Sequence, residues 1–101
     1  MNSKRFYELI GICYLARKLS WGEKACIENI KSNTAKLIVI SNDIGYSLQK
    51  KIIATSKIYK IPLIVVGTKL ELGKAIGKHI VSIIVVNDIK LADKLKKIVE
   101  V

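Results

Sequence analysis

A chain of 101 residues is the size of one domain, and half of those residues are apolar, enough to bury a single layered core without disulfide or metal staples. Eighteen Lys and Arg against eight Asp and Glu leave a formal charge of +10, which attracts a polyanion such as nucleic acid or an anionic surface over long range. The apolar run Ile80 to Val86 is far shorter than the ~18 residues of a spanning helix and is interrupted by Ser82, so a membrane is not the expected partner.

Lys4-Arg5 followed by Phe6 to Ala16 has a faint signal-peptide look, but Glu8 inside it and Arg17-Lys18 at the place of a cleavage site favour a helix that is retained. Phe6, Leu9, Ile10, Cys13 and Arg17 recur at helical spacing and predict an amphipathic helix over about residues 4–18. Lys18-Leu19-Ser20 is extended or turn-like. Ser20 and Glu23 then stand three apart, the spacing of a capping box, and Ile27 and Ile30 carry the inward face of a second helix to about Ser32. Lys36 to Ser41, Pro62 to Val66 and Ser82 to Val86 are almost continuously apolar and rich in Ile and Val, as strands covered on both faces are. Between the first two, Leu48, Ile52 and Tyr59 face inward from a helix over Gly45 to Tyr59. After the second, Gly67-Thr68-Lys69 leads into Leu72-Gly73-Lys74-Ala75-Ile76-Gly77. Leu72 and Ile76 share one face of that helix, and Gly73 and Gly77 share another, a stripe without side chains that suits close approach or tight packing. Gly77 can end the helix in a left-handed conformation. Leu91, Leu95, Ile98 and Val99 define the inward face of a last helix. The pattern is α/β throughout and predicts a three-layer α/β/α sandwich around a small mixed sheet, as one domain over residues 1–101.

Few residues offer catalytic chemistry. Cys13 and Cys26 have no paired spacing of metal-ligand type, and His79 is a lone imidazole, so the thiols read as structural groups of a reducing cytosol. Neither a dinucleotide fingerprint nor a phosphate loop occurs, and no cofactor, metal or small-molecule substrate is expected. Asn42-Asp43 at a strand end could suggest a phospho-accepting carboxylate, but without an acidic cluster to hold magnesium Asp43 reads as the cap of the following helix.

Three elements in order carry a resemblance: Gly22-Glu23-Lys24 opening the second helix, Ala35-Lys36-Leu37-Ile38-Val39 followed by Asn42-Asp43, and Val66-Gly67-Thr68-Lys69-Leu70-Glu71-Leu72-Gly73-Lys74-Ala75-Ile76-Gly77. Together they resemble the kink-turn RNA-binding ribosomal protein family, the L-seven-Ae family, in its small stand-alone bacterial form, over about residues 6–99. The resemblance implies an α/β/α sandwich that grips the bent internal loop of a structured RNA, ribosomal RNA being one candidate, as a cytoplasmic monomer without catalysis.

It also implies two contact regions. The helix start at Gly22, Glu23, Lys24, Ala25 and Glu28 would face tandem sheared G·A pairs, where free N–H groups, the helix dipole and the Lys24 ammonium suit RNA acceptors. The loop Val66, Gly67, Thr68, Lys69 and Leu70 would cover a flipped-out nucleotide, with Lys69 and Lys74 neutralising phosphates. Two positions depart from the family pattern. Ala25 stands where Glu or Gln is common and can make no base hydrogen bond; Glu28 stands where Lys is common and carries the wrong charge, unless it pairs with Lys24. A protein-protein adaptor on the same fold, without base readout, is therefore the alternative function.

Overall fold

The computed structural model describes residues 1–100, and Val101 lies outside the described residues. Five helices and four strands alternate: α1 (Ser3–Leu15), β1 (Leu19–Trp21), α2 (Glu23–Lys31), β2 (Leu37–Ile40), α3 (Tyr46–Tyr59), β3 (Leu63–Val65), α4 (Lys69–Ala75), β4 (Ile83–Val86) and α5 (Ile89–Glu100). The sheet order is β1-β4-β2-β3. β2 and β3 are parallel, while β4 runs antiparallel to both its neighbours, with Leu19 opposite Val86 and Ile40 opposite Ile83.

The layering follows from the two-residue period of the central strands. Leu37 and Val39 of β2 and Ile84 and Val86 of β4 belong to one core with Phe6, Ile10, Cys13, Leu72, Leu95 and Ile98, so α1, α4 and α5 cover that face. Ile38, Ile40, Ile83 and Val85 belong to the other core with Cys26, Ile30 and Ile52 of α2 and α3. All side chains of β2 and β4 are fully buried, each contributing roughly 1.5–3 kcal/mol of apolar transfer. The architecture is the expected α/β/α sandwich with a mixed sheet.

Three elements differ from expectation. Leu19–Trp21 is a fourth strand, paired only with β4. β3 is not covered on both faces: it is the opposite edge of the sheet, with Leu63 and Ile64 half-buried and Val65 exposed. α1 stops at Leu15, and Arg17 lies beyond it at φ 59°, exposed rather than on the inward stripe.

Candidate nucleic-acid interface

The antiparallel placement of β4 brings one set of chain ends to a single sheet edge. Trp21 is opposite Ile84, Ile40 is opposite both Ile83 and Val65, and so the C-terminal ends of β1, β2 and β3 share an edge with the start of β4. Hydrogen bonds continue the pairing past the strands: Gly22 N–H to the Ile83 carbonyl (3.2 Å), Ser41 N–H to Ser82 (3.0 Å) and Asn42 N–H to Gly67 (2.7 Å). Gly22 and Gly67 thus follow the two outermost strands, three interstrand spacings or roughly 14 Å apart.

At the Gly22 side the chain turns directly from β1 into α2. Gly22 is the N-cap, at φ 86° and ψ 157°, and no side chain caps the helix. The first helical bond runs from Cys26 N–H to the Gly22 carbonyl at 3.1 Å, which leaves the N–H groups of Glu23, Lys24 and Ala25 without intrahelical acceptors at the positive end of the dipole. The expected Ser20–Glu23 capping box is absent. Ser20 is still in β1, opposite Val85, and its hydroxyl accepts from Asn29 Nδ2 at 3.0 Å. Glu23 instead forms an ion pair with Lys51 of α3 at 3.0 Å. Lys24 and Glu28 are both exposed and are not within ion-pair distance of one another, so Glu28 stands as a solvated helix residue. Ala25 is half-buried, and its carbonyl accepts from Asn29 Nδ2 at 2.7 Å.

The other side is held more firmly. Gly67 adopts φ 69°, and the Tyr7 hydroxyl occupies the place where its Cβ would stand. Burial first, and then the nearby Glu71 carboxylate, hold the Tyr7 phenol above its ordinary value. Thr68 caps α4 in a full capping box: its hydroxyl accepts from Glu71 N–H (3.2 Å), and the Glu71 carboxylate accepts from Thr68 N–H (3.0 Å). Asp43 caps α4 as well, not the helix that follows it, by accepting from Lys69 N–H at 2.9 Å across the edge. Desolvation pushes the Asp43 carboxyl up, but the Lys69 N–H outweighs it with further polar contacts and holds the group below its usual range.

Val66 is 4 % exposed, so its side chain belongs to the core and is not available to cover a nucleotide. The exposed apolar groups beside the loop are Leu70, at 59 %, and Val65, at 53 %. Val65 is absent from the sequence-derived set, although strand alternation points it away from Val66. Lys69 stands at the edge and is half-buried; Lys74 is exposed but set back by five helical residues, about 7.5 Å. Of the two glycines of the stripe only Gly77 is exposed, with nothing within 4 Å of where its Cβ would stand. A Cβ on Gly73 would lie 2.6 Å from the His79 carbonyl oxygen, so this glycine is closed over by the chain's own loop. Gly77, at φ 72°, completes a Schellman turn in which Lys78 N–H reaches the Gly73 carbonyl (2.8 Å) and Gly77 N–H reaches Lys74 (3.2 Å). Among the described residues no group of three or more His, Cys, Asp and Glu could hold a metal, and no helix is long and apolar enough to cross a membrane.

The class this geometry defines is a basic α/β/α domain that presents a helix start and a capped loop on one sheet edge. The chain belongs to the ribosomal protein L7Ae/L30e/S12e/Gadd45 family, whose sequence model matches residues 4–96. It is 32 % identical over 95 residues to a protein named RNA-binding protein YlxQ from Bacillus subtilis (strain 168), covering 94 % of this chain and 95 % of that one. A protein of the same name from Enterococcus faecium is 31 % identical over 77 residues, 76 % of this chain and 75 % of its own. Among solved structures, a Bacillus halodurans C protein of unknown function superposes with a TM-score of 0.92 at 32 % identity, covering 96 % and 98 % of the two chains. The Giardia lamblia 15.5kD RNA binding protein shares the fold with a TM-score of 0.84 at 13 % identity, covering 99 % and 89 %.

Proposed function

We propose that this protein is a single-domain RNA-binding protein that stabilises a kink-turn or similar bent internal loop, acting as a cytoplasmic monomer on a ribosomal or other structured RNA, without catalysis. The observation that carries the reading is the convergence of two unlike surfaces on one sheet edge: the uncapped start of α2 with Lys24, and the Gly67 loop with Lys69 and Leu70. Family membership and the name of the Bacillus subtilis relative support it.

A kinked RNA crowds its phosphates and extrudes a base. The α2 N–H groups and Lys24 suit the polar edges of the internal loop, Leu70 and Val65 suit the extruded base, and Lys69 and Lys74 suit phosphates. Such a surface binds the bent form better than the straight one and shifts the equilibrium toward it. Val66 contributes its place in the core, and Gly67 and Thr68 the shape of the loop.

Gel-shift titration against a kink-turn duplex, and against the same duplex with its G·A pairs replaced, tests the reading. Preference for the intact kink-turn is expected; equal affinity for both would overturn kink-turn recognition. The double variant Ala25→Gln, Glu28→Lys should gain more on the kink-turn than on plain duplex, by the ~1–3 kcal/mol of a good side-chain-to-base contact. An equal gain on both would mean that these positions read no base, and failure of the native chain to bind either RNA would favour the adaptor alternative.

A further inference from the structure

We propose that Trp21, framed by Tyr14 and Lys78, is a stacking platform for an unpaired nucleotide that leaves the bent loop beside Gly22. This rests on the RNA-binding reading and adds a contact that the helix start and the Gly67 loop do not provide. Trp21 is the last residue of β1, on the outer edge of the sheet and immediately before Gly22, so it stands at the docking edge itself. Its strand neighbour Leu19 is 8 % exposed, yet Trp21 is 38 % exposed. The Tyr14 ring packs against the indole at a steep angle, with centroids 5.5 Å apart and planes at 62°. The head of a flexible lysine lies over the indole: Lys78 Nζ is 4.8 Å from the Trp21 centroid and 5.8 Å from that of Tyr14. Beside the pair is a cleft of about 430 Å³ lined by Tyr14, Leu15, Arg17, Leu19 and Trp21.

The chemistry of this corner selects its occupant. Its charged groups, Arg17 and Lys78, are both cationic, and its walls are aromatic and aliphatic, so the fitting ligand is planar, apolar on its faces and anionic at its rim. An unpaired nucleotide has that combination. A base takes the place of the ammonium over the indole, and Lys78 moves to the phosphate of the same nucleotide, exchanging one favourable contact for two.

Trp21 is the only tryptophan of the chain, so its fluorescence reports stacking without a label. The kink-turn duplex would be prepared with blunt arms and with a three-adenosine single-stranded tail on either the 5′ or the 3′ strand. One tailed form is expected to bind about ten-fold tighter than the blunt form and to quench Trp21 further. That tail-to-blunt ratio should collapse to about one in Trp21→Ala and be partly kept in Trp21→Phe. Should Trp21→Ala fail to fold, Trp21→Phe, Lys78→Ala and the wild-type fluorescence titration still decide the matter. If the blunt duplex binds in a gel shift while neither tail adds affinity or quenching, the platform is wrong and the RNA reading stands. If no RNA binds, both fall.

Discussion

Gly22 occupies a backbone region that is essentially closed to residues with a Cβ, although open space surrounds the position where that Cβ would be. Its first role is therefore to turn the chain from β1 into α2, and any loss of binding in a Gly22 variant would be mixed with a loss of stability. Cys13 and Cys26 offer a cleaner test at this scale. Burial pushes the Cys13 thiol up to about 11, helped by the Asp88 charge, and burial pushes Cys26 up to about 12, from an ordinary 9.0. Both groups stay neutral in the folded state while the unfolded chain ionises them from about pH 9, so their contribution is complete below that pH and is lost as pH rises toward 11–12. The melting temperature of the Cys13→Ala, Cys26→Ala variant is expected to fall less between pH 8 and pH 10.5 than that of the wild type, and a parallel fall in both would refute the assignment. The native thiols should also resist a thiol-reactive probe at neutral pH until denaturant is added.

A helix of seven residues such as α4 has little stability of its own, and it persists because both ends and its middle are tied down. Thr68 and Asp43 take up N–H groups at its start, a Schellman turn takes up carbonyls at its end, and Gly73 lets the Lys78–His79 backbone lie directly against it. Alanine is a better helix former than glycine by ~1 kcal/mol, which would argue that Gly73→Ala stabilises the protein. The 2.6 Å approach to a backbone carbonyl decides otherwise, because that carbonyl belongs to the loop tied back to Gly73 itself. Gly73→Ala is expected to cost ~1–3 kcal/mol in urea denaturation; a gain would show that the loop yields. This element also shows how far the sequence could be read. The inward pair Leu72 and Ile76 was visible from spacing, and so was the buried character of β2 and β4, since four consecutive apolar residues leave little other reading. Leu19-Ser20-Trp21 was too short and too mixed to mark as a strand, because its place depends on pairing with a segment more than sixty residues later. The Ser/Thr-x-x-Glu spacing occurs at both Ser20 and Thr68, and only the residue that ends in a cap conformation can use it. The helix start and the loop were legible as a candidate site, whereas the burial of Val66 and the exposure of Val65 depend on which strand lies at the edge.

The charge of the whole molecule is spread beyond the proposed edge: Lys50 and Lys57 of α3 and Lys90, Lys94 and Lys97 of α5 are exposed too. Attraction to RNA over distance belongs to all of them, whereas counterion release at close contact belongs to those that meet phosphates. Lys24→Ala, Lys69→Ala and Lys74→Ala should each flatten the slope of log affinity against log salt by about one unit, while Lys97→Ala leaves it unchanged. Wild-type slopes in all three edge variants would relocate the interface. The position of β4 bears on something else, the order in which the molecule is made. β1 has no partner other than β4, and the Gly22 N–H is anchored on Ile83, so the first strand of the chain waits for the last. During synthesis from the N-terminus α1 and α2 emerge early, but the edge that unites Gly22 with Gly67 cannot close until residue 86 is free to slide between β1 and β2. A chain still attached to its ribosome and shorter than that length lacks the assembled edge, so the surface that Gly22 and Gly67 share exists only after residue 86 has emerged.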